Sequence, residues 1–184
     1  MVILKFLYVP YVGEIMKTVK LYLMFTTILL FSSGFSYAAD KNIPQFKITG
    51  TYKTFISILV LANTSEEQLI NLINEFKNAR EGNYLDKYFP PTTPNGKMGK
   101  YAVVGIIIFS DPNMATSALL KKYMEASSFN PSDVKFSQQY ADNVLGHYYY
   151  SLVLDQEFGC LGLRDSGIKP TPTYQKLFGK NYPY

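Results

Sequence analysis

His147 is the one histidine of this chain, and Ser151, Asp155 and Glu157 follow it within ten residues. A histidine, a hydroxyl and a carboxylate are the parts of a nucleophilic hydrolase, in which imidazole takes the proton of an attacking serine. Their spacing argues against one triad. The segment from Gly146 to Leu154 alternates and reads as a strand. Each four-residue step then spans about 13 Å at roughly 3.3 Å per residue. Hydrogen-bond contact among the three is out of reach on a regular strand. A lone strand histidine is more often a packed one, and that reading is preferred for His147.

Asp155 and Glu157 form the best carboxylate pair. Two residues apart on a strand, they sit about 6.6 Å from each other. That lies inside the range of about 5 to 9.5 Å used in glycoside hydrolysis. A turn between them would remove the argument. The catalytic candidates are therefore His147, Asp155 and Glu157, for a metal-independent hydrolase acting on envelope or extracellular polymers.

No metal site is expected. One histidine and one cysteine do not make the usual zinc clusters, and no EF-hand spacing occurs. No cofactor is expected either. The chain holds no phosphate-binding loop, dinucleotide glycine fingerprint, G-x-S-x-G elbow or H-E-x-x-H. Cys160 lies in Phe158-Gly159-Cys160-Leu161-Gly162-Leu163, an apolar setting that reads as a buried small hydrophobe.

The aromatic residues are the stronger lead. The chain has 16 tyrosines and no tryptophan. Tyrosine suits strands and half-buried surfaces that bind something. Tyr148-Tyr149-Tyr150 places one ring on the opposite strand face from the other two. Tyr88-Phe89 opens a proline-rich stretch, Pro90-Pro91-Thr92-Thr93-Pro94-Asn95-Gly96. Tyr88, Phe89 and Tyr149 are the candidates for contact with a partner, a protein or a glycan of the cell envelope. The alternative is that helices or the C-terminal tail cover the strand face.

These residues need elements to hold them. Residues 16–38 read as a signal peptide: a basic start at Met16-Lys17-Thr18-Val19-Lys20, an apolar run from Leu21 to Phe31, and small residues Ser36 and Ala38 two apart. The run is about 11 residues, short of the roughly 20 that span a membrane. Membrane attachment is expected only if this segment stays uncleaved. Residues 1–15 do not fit a signal start and read as a mis-annotated extension, with translation beginning at Met16. Residues 39–184 are read as one α+β domain with an irregular C-terminal tail, located in the periplasm or secreted.

The whole-chain net charge of +4 includes Lys5, Lys17 and Lys20, so the domain itself is nearly neutral. Its lysines are scattered, which argues against a nucleic-acid partner. Phe46 to Ala62 reads as a strand with a bend at Gly50. Thr64 with Glu67, or Ser65 with Gln68, caps a helix, and Leu69, Leu72, Ile73 and Phe76 mark its buried face. Residues 82–100 form a long loop of the kind that is often functional. Val103 to Phe109 is apolar on both faces, as in a central strand. Asp111-Pro112 starts a second helix that ends by Ala126. Residues 134–144 are ambiguous. Strand 146–154 turns near Asp155-Gln156 into a hairpin with 158–163. The expected fold is a small mixed sheet of about four strands with two helices packed on it, in the order β-α-β-α-β-β.

On function, the leading expectation is a non-enzymatic binding or interaction domain. The hydrolase is the first alternative, and a structural component of an envelope assembly the second.

Overall fold

The structure, a computed structural model, describes residues 42–93, 98–164 and 168–179. The expected extension at 1–15, the signal peptide at 16–38 and the Asn95-Gly96 turn lie outside the described residues. Chain order is β1 (Phe46–Tyr52), β2 (Phe55–Val60), α1 (Glu66–Glu81), a 3-10 turn (Leu85–Lys87), β3 (Val103–Phe109), α2 (Ser117–Glu125), α3 (Pro131–Ala141), β4 (Gly146–Ser151), β5 (Gln156–Leu161) and β6 (Gln175–Gly179). The fold is mixed α+β, with one sheet whose strands lie side by side in chain order. β2 and β3 are parallel, joined through α1, and every other neighbouring pair is antiparallel.

β3 explains the layering. Val104, Ile106 and Ile108 point to one face, where Leu69, Leu72, Ile73, Phe76 and Ala79 of α1 cover them. Ile107 and Phe109 point to the other, under Leu120 and Tyr123 of α2 and Tyr140 and Ala141 of α3. A strand buried on both faces must be apolar throughout, because every side chain leaves water. Each fully buried aliphatic side chain contributes about 1.5–3 kcal/mol relative to exposure.

Helix α1 starts and stops where the sequence predicts. Ser65 Oγ accepts from the Gln68 backbone N–H at 3.2 Å, and Gln68 Oε1 accepts from the Ser65 N–H at 2.9 Å. This reciprocal box leaves Thr64 and Glu67 out. The helix closes at Glu81, before Gly82.

Three local expectations are corrected and one open reading is resolved. The run 46–62 is a hairpin of two strands, turning at Lys53-Thr54 with Lys53 at φ 53°. No glycine, proline or asparagine marks that turn, so the sequence hides it. Gly50 sits at a register shift in β1, where a Cβ would lie 2.7 Å from the Ser117 nitrogen. Asp111 does not cap α2; its Oδ1 accepts from Asn113 N–H at 2.8 Å, and Thr116 caps the helix five residues after the expected cap. The ambiguous 134–144 stretch is helix α3, begun by the Asn130 cap and Pro131. The tail includes a strand, β6, paired with β5. The sheet therefore has six strands and the described residues three α-helices, more than the four and two expected.

One glycine governs the second sheet face. Phe55, Gly105, Tyr149 and Phe158 lie in register across β2, β3, β4 and β5. The Phe55 and Tyr149 rings stack at 6.0 Å, and Tyr149 and Phe158 at 5.1 Å. A Cβ at Gly105 would meet the Phe55 ring at 2.3 Å. Gly105→Ala is expected to cost about 1–3 kcal/mol through overpacking. Urea unfolding of Gly105→Ala, Phe55→Ala and the double variant checks this: the double variant loses less than the sum of the singles. Additive losses would mean the ring is not what fills the space.

Candidate functional site

The strand register separates the candidate catalytic residues. His147 pairs with Ile107 and Cys160, whereas Glu157 pairs with Tyr150. Positions 157 and 160 of one strand differ by an odd number, so their side chains leave opposite faces. His147 and Glu157 are on different sides of the sheet. His147 is buried, edge-on to the Phe158 ring at 5.4 Å, and burial lowers its pKa to about 3. It stays neutral at ordinary pH. Asp155 is exposed in the β4–β5 turn at φ 48°, so the carboxylate pair has a turn between its members. Ser151 is buried, and its Oγ accepts from the Leu154 N–H at 3.2 Å. Cys160 is buried too, which pushes its thiol up to about 12. These residues do not converge on a reacting atom. Among the described residues no group of three or more His, Cys, Asp and Glu could hold a metal ion.

Glu157 instead joins α1 to the sheet. Arg80, in the last turn of α1, donates from Nε to Glu157 Oε1 at 2.7 Å and from Nη2 to Oε2 at 3.0 Å. Tyr148 OH donates to Oε1 at 2.8 Å and accepts from Arg80 Nε at 3.2 Å. The guanidinium also lies over the Tyr150 ring, 4.2 Å from its centre, and Nη2 reaches Glu81 at 3.2 Å. Two parallel N–H···O bonds fix the planes of both groups. Burial, with the Glu157 carboxylate beside it, raises the Tyr148 phenol far above its ordinary value. Arg80 falls on the helix face that carries Phe76 and Ala79. A charge on a buried stripe requires a partner, and this was the available sequence signal for the cluster.

The exposed side of Arg80 borders a cleft of about 370 Å³. Arg80, Asn83, Asp86, Lys100, Tyr101 and Tyr150 supply its polar and aromatic lining; Leu85, Ala102, Met98 and Leu152 supply the apolar part. Asn83 to Asp86 and Met98 to Tyr101 form one wall. It is fastened by Leu85 and Phe89, both buried, by Thr92 Oγ1 donating to Val103 O at 2.7 Å, and by the Tyr101 hydroxyl donating to Phe89 O. Thr92 and Thr93 N–H both reach Lys100 O. Lys100 and Asp86 face each other at 3.4 Å, largely exposed, where such a pair is weak.

The other aromatic candidates are differently placed. Phe89 is core, stacked on Phe46 at 5.6 Å. Tyr88 is half-buried and donates to Glu75 at 2.7 Å. Tyr149 is half-buried between Phe55 and Phe158, so both ring faces are occupied. The tyrosines that meet the cleft are Tyr101 and Tyr150.

Comparison of the chain with protein-family models, with curated proteins and with solved structures returns no match. The site has to be argued from its own chemistry.

Two outcomes test this arrangement. Glu157→Gln is expected to lower stability by about 1–3 kcal/mol, between an exposed pair and a fully buried one. In urea unfolding, Arg80→Met and Glu157→Met together should lose clearly less than the two alone. The second concerns pH. Folded His147 has its pKa lowered to about 3 from 6.5, so the unfolded chain binds the proton first. Its contribution is intact above about pH 6.5 and is lost as pH falls, by about 1.4 kcal/mol per unit. Stability compared at about pH 7 and about pH 5 shows this slope, and His147→Gln flattens it.

Proposed function

We propose that the protein is an exported, non-enzymatic binding domain and that its partner engages the cleft at the end of α1. The cleft is the observation that carries this reading. It gathers donors, acceptors and aromatic rings on a rigid joint, while His147, Asp155 and Glu157 point to different places. Export rests on the basic, apolar and small-residue pattern of 16–38. The partner belongs to the envelope or the exterior, as a glycan or a protein.

A hydrolase is disfavoured. General acid–base work needs its groups within hydrogen-bond reach of one substrate. Here the imidazole is buried on one sheet face and the carboxylate is held by Arg80 on the other.

A second reading has its own observation. Met98, Leu152, Val153 and Leu154 are all at least half exposed. Met98 and Leu152 also border the cleft, so these aliphatic groups adjoin it. Their apolar area is on the order of a few hundred Å², the range in which exposed patches often bind proteins. Contact with a protein neighbour in an envelope assembly would use this rim.

Two measurements test the proposal. Intact mass of protein recovered from the periplasm or medium of an expressing bacterium should match residues 39–184. Retention of 16–38 in the membrane fraction would mean an anchored protein. A photo-crosslinking side chain at Asn83 or Lys100 should give an adduct in the same cells, and one at Glu67, exposed at the far end of α1, should not. Adducts from Glu67 alone would move the binding surface away from the cleft.

A further inference from the structure

We propose that the cleft is a saccharide site, taking about one or two rings of an uncharged glycan. This rests on the cleft being the seat of binding, and it names the ligand. The volume of about 370 Å³ is at the small end for ligand pockets. That suits a sugar or two better than a long apolar group.

The lining has the chemistry that a sugar requires. A hydroxyl both donates and accepts, so vicinal hydroxyls need neighbours of both kinds. Asp86 accepts. Lys100 and Arg80 donate. The Asn83 amide does both. The C–H face of a pyranose needs apolar surface; Tyr101 and Leu152 line the cleft with it, beside the Tyr150 ring that carries the Arg80 guanidinium on one face.

Charge selects against ionic ligands. Arg80 is matched by Glu157 and Lys100 by Asp86. A phosphate or carboxylate would meet a guanidinium whose charge Glu157 already balances through two bonds. A cation would compete with Lys100 for Asp86. A neutral ligand disturbs neither pair.

The donors are also held in place. Glu157 and the Tyr150 ring fix the guanidinium plane. Nε and Nη2 make the hydrogen bonds to protein, and Nη1 makes none among the described residues. Its two N–H groups are the free donors of a preoriented residue. Preorientation matters here, because sugars gain little per hydrogen bond after leaving water.

The test is isothermal titration of the full exported chain with maltose, cellobiose, lactose and N,N′-diacetylchitobiose. At least one should bind saturably, with a Kd in the micromolar-to-millimolar range. Raising the salt should leave the affinity unchanged, as expected for an uncharged ligand. Asp86→Ala and Asn83→Ala should each weaken binding about tenfold or more, since each removes a hydrogen bond made to the ligand. Asp86 is exposed, so Asp86→Ala should leave the melting temperature unchanged; Asn83 sits at φ 56°, so Asn83→Ala is expected to lose a little stability and its binding is measured well below its melting temperature. The proposal is overturned if no disaccharide binds at concentrations up to about 10 mM, or if binding survives both substitutions. A crosslinked protein adduct at Asn83 together with no saccharide binding would overturn the sugar and keep the cleft. Adducts found only away from the cleft would remove the site itself.

Discussion

A charged residue on the buried side of a helix constrains everything around it. Arg80 ends the face of α1 that carries Phe76 and Ala79 onto the sheet. Its guanidinium cannot be left without partners at this depth, since an unpaired buried charge is far more costly than a lost contact. Glu157 meets it with both oxygens, Tyr148 bridges the two, and Tyr150 lies under the plane. This requires β4 and β5 to be neighbours in one register, with 148, 150 and 157 on the side that α1 covers. The helix position and the cleft beside Arg80 are tied to this contact.

The opposite face is organised by shape instead of charge. There the sheet presents Phe55, Tyr149 and Phe158 as a row of stacked rings over Gly105. His147 is packed against Phe158 as a neutral ring, its protonation suppressed by burial. Aromatic area is what this row contributes, and stacked rings gain about 0.5–1.5 kcal/mol beyond burial. His147, the residue most suggestive of chemistry in the sequence, thus serves packing. The residues best placed to meet a ligand, Arg80, Asn83, Asp86 and Tyr150, carry no motif.

On the proposed reading the cleft is a recognition surface. Its charges are already paired, and its aromatic and amide groups suit weak, directional contacts. The described residues that carry its wall, 82–93 and 98–101, stand on firm anchors, because Leu85 and Phe89 belong to the core and Thr92 is bonded to the first residue of β3. A wall of this kind holds side chains in place before a ligand arrives, which limits the ordering cost of binding. The aliphatic rim at 152–154 extends the same end of the molecule and gives a larger partner something further to touch.

Some of this is legible in the residues alone. The double-faced strand 103–109, the capped helix 66–81 and the parallel pair with its helical crossover follow from periodicity and caps, and so does a hairpin after Gly146, although its turn falls at 152–155 and not at Asp155-Gln156. Those signals act within a few residues, so they survive without knowledge of the fold. The turn at Lys53-Thr54 lacks any turn residue, and α3 and β6 have weak patterns, so their state depends on what they pack against. The cleft could not be read from sequence. Arg80 and Glu157 are 77 positions apart, and the parity that puts Glu157 with Arg80 and His147 on the other side is a property of strand register. Local chemistry determined the elements. Only the tertiary structure decided which side chains share a face, because one residue of register exchanges the two faces of every strand.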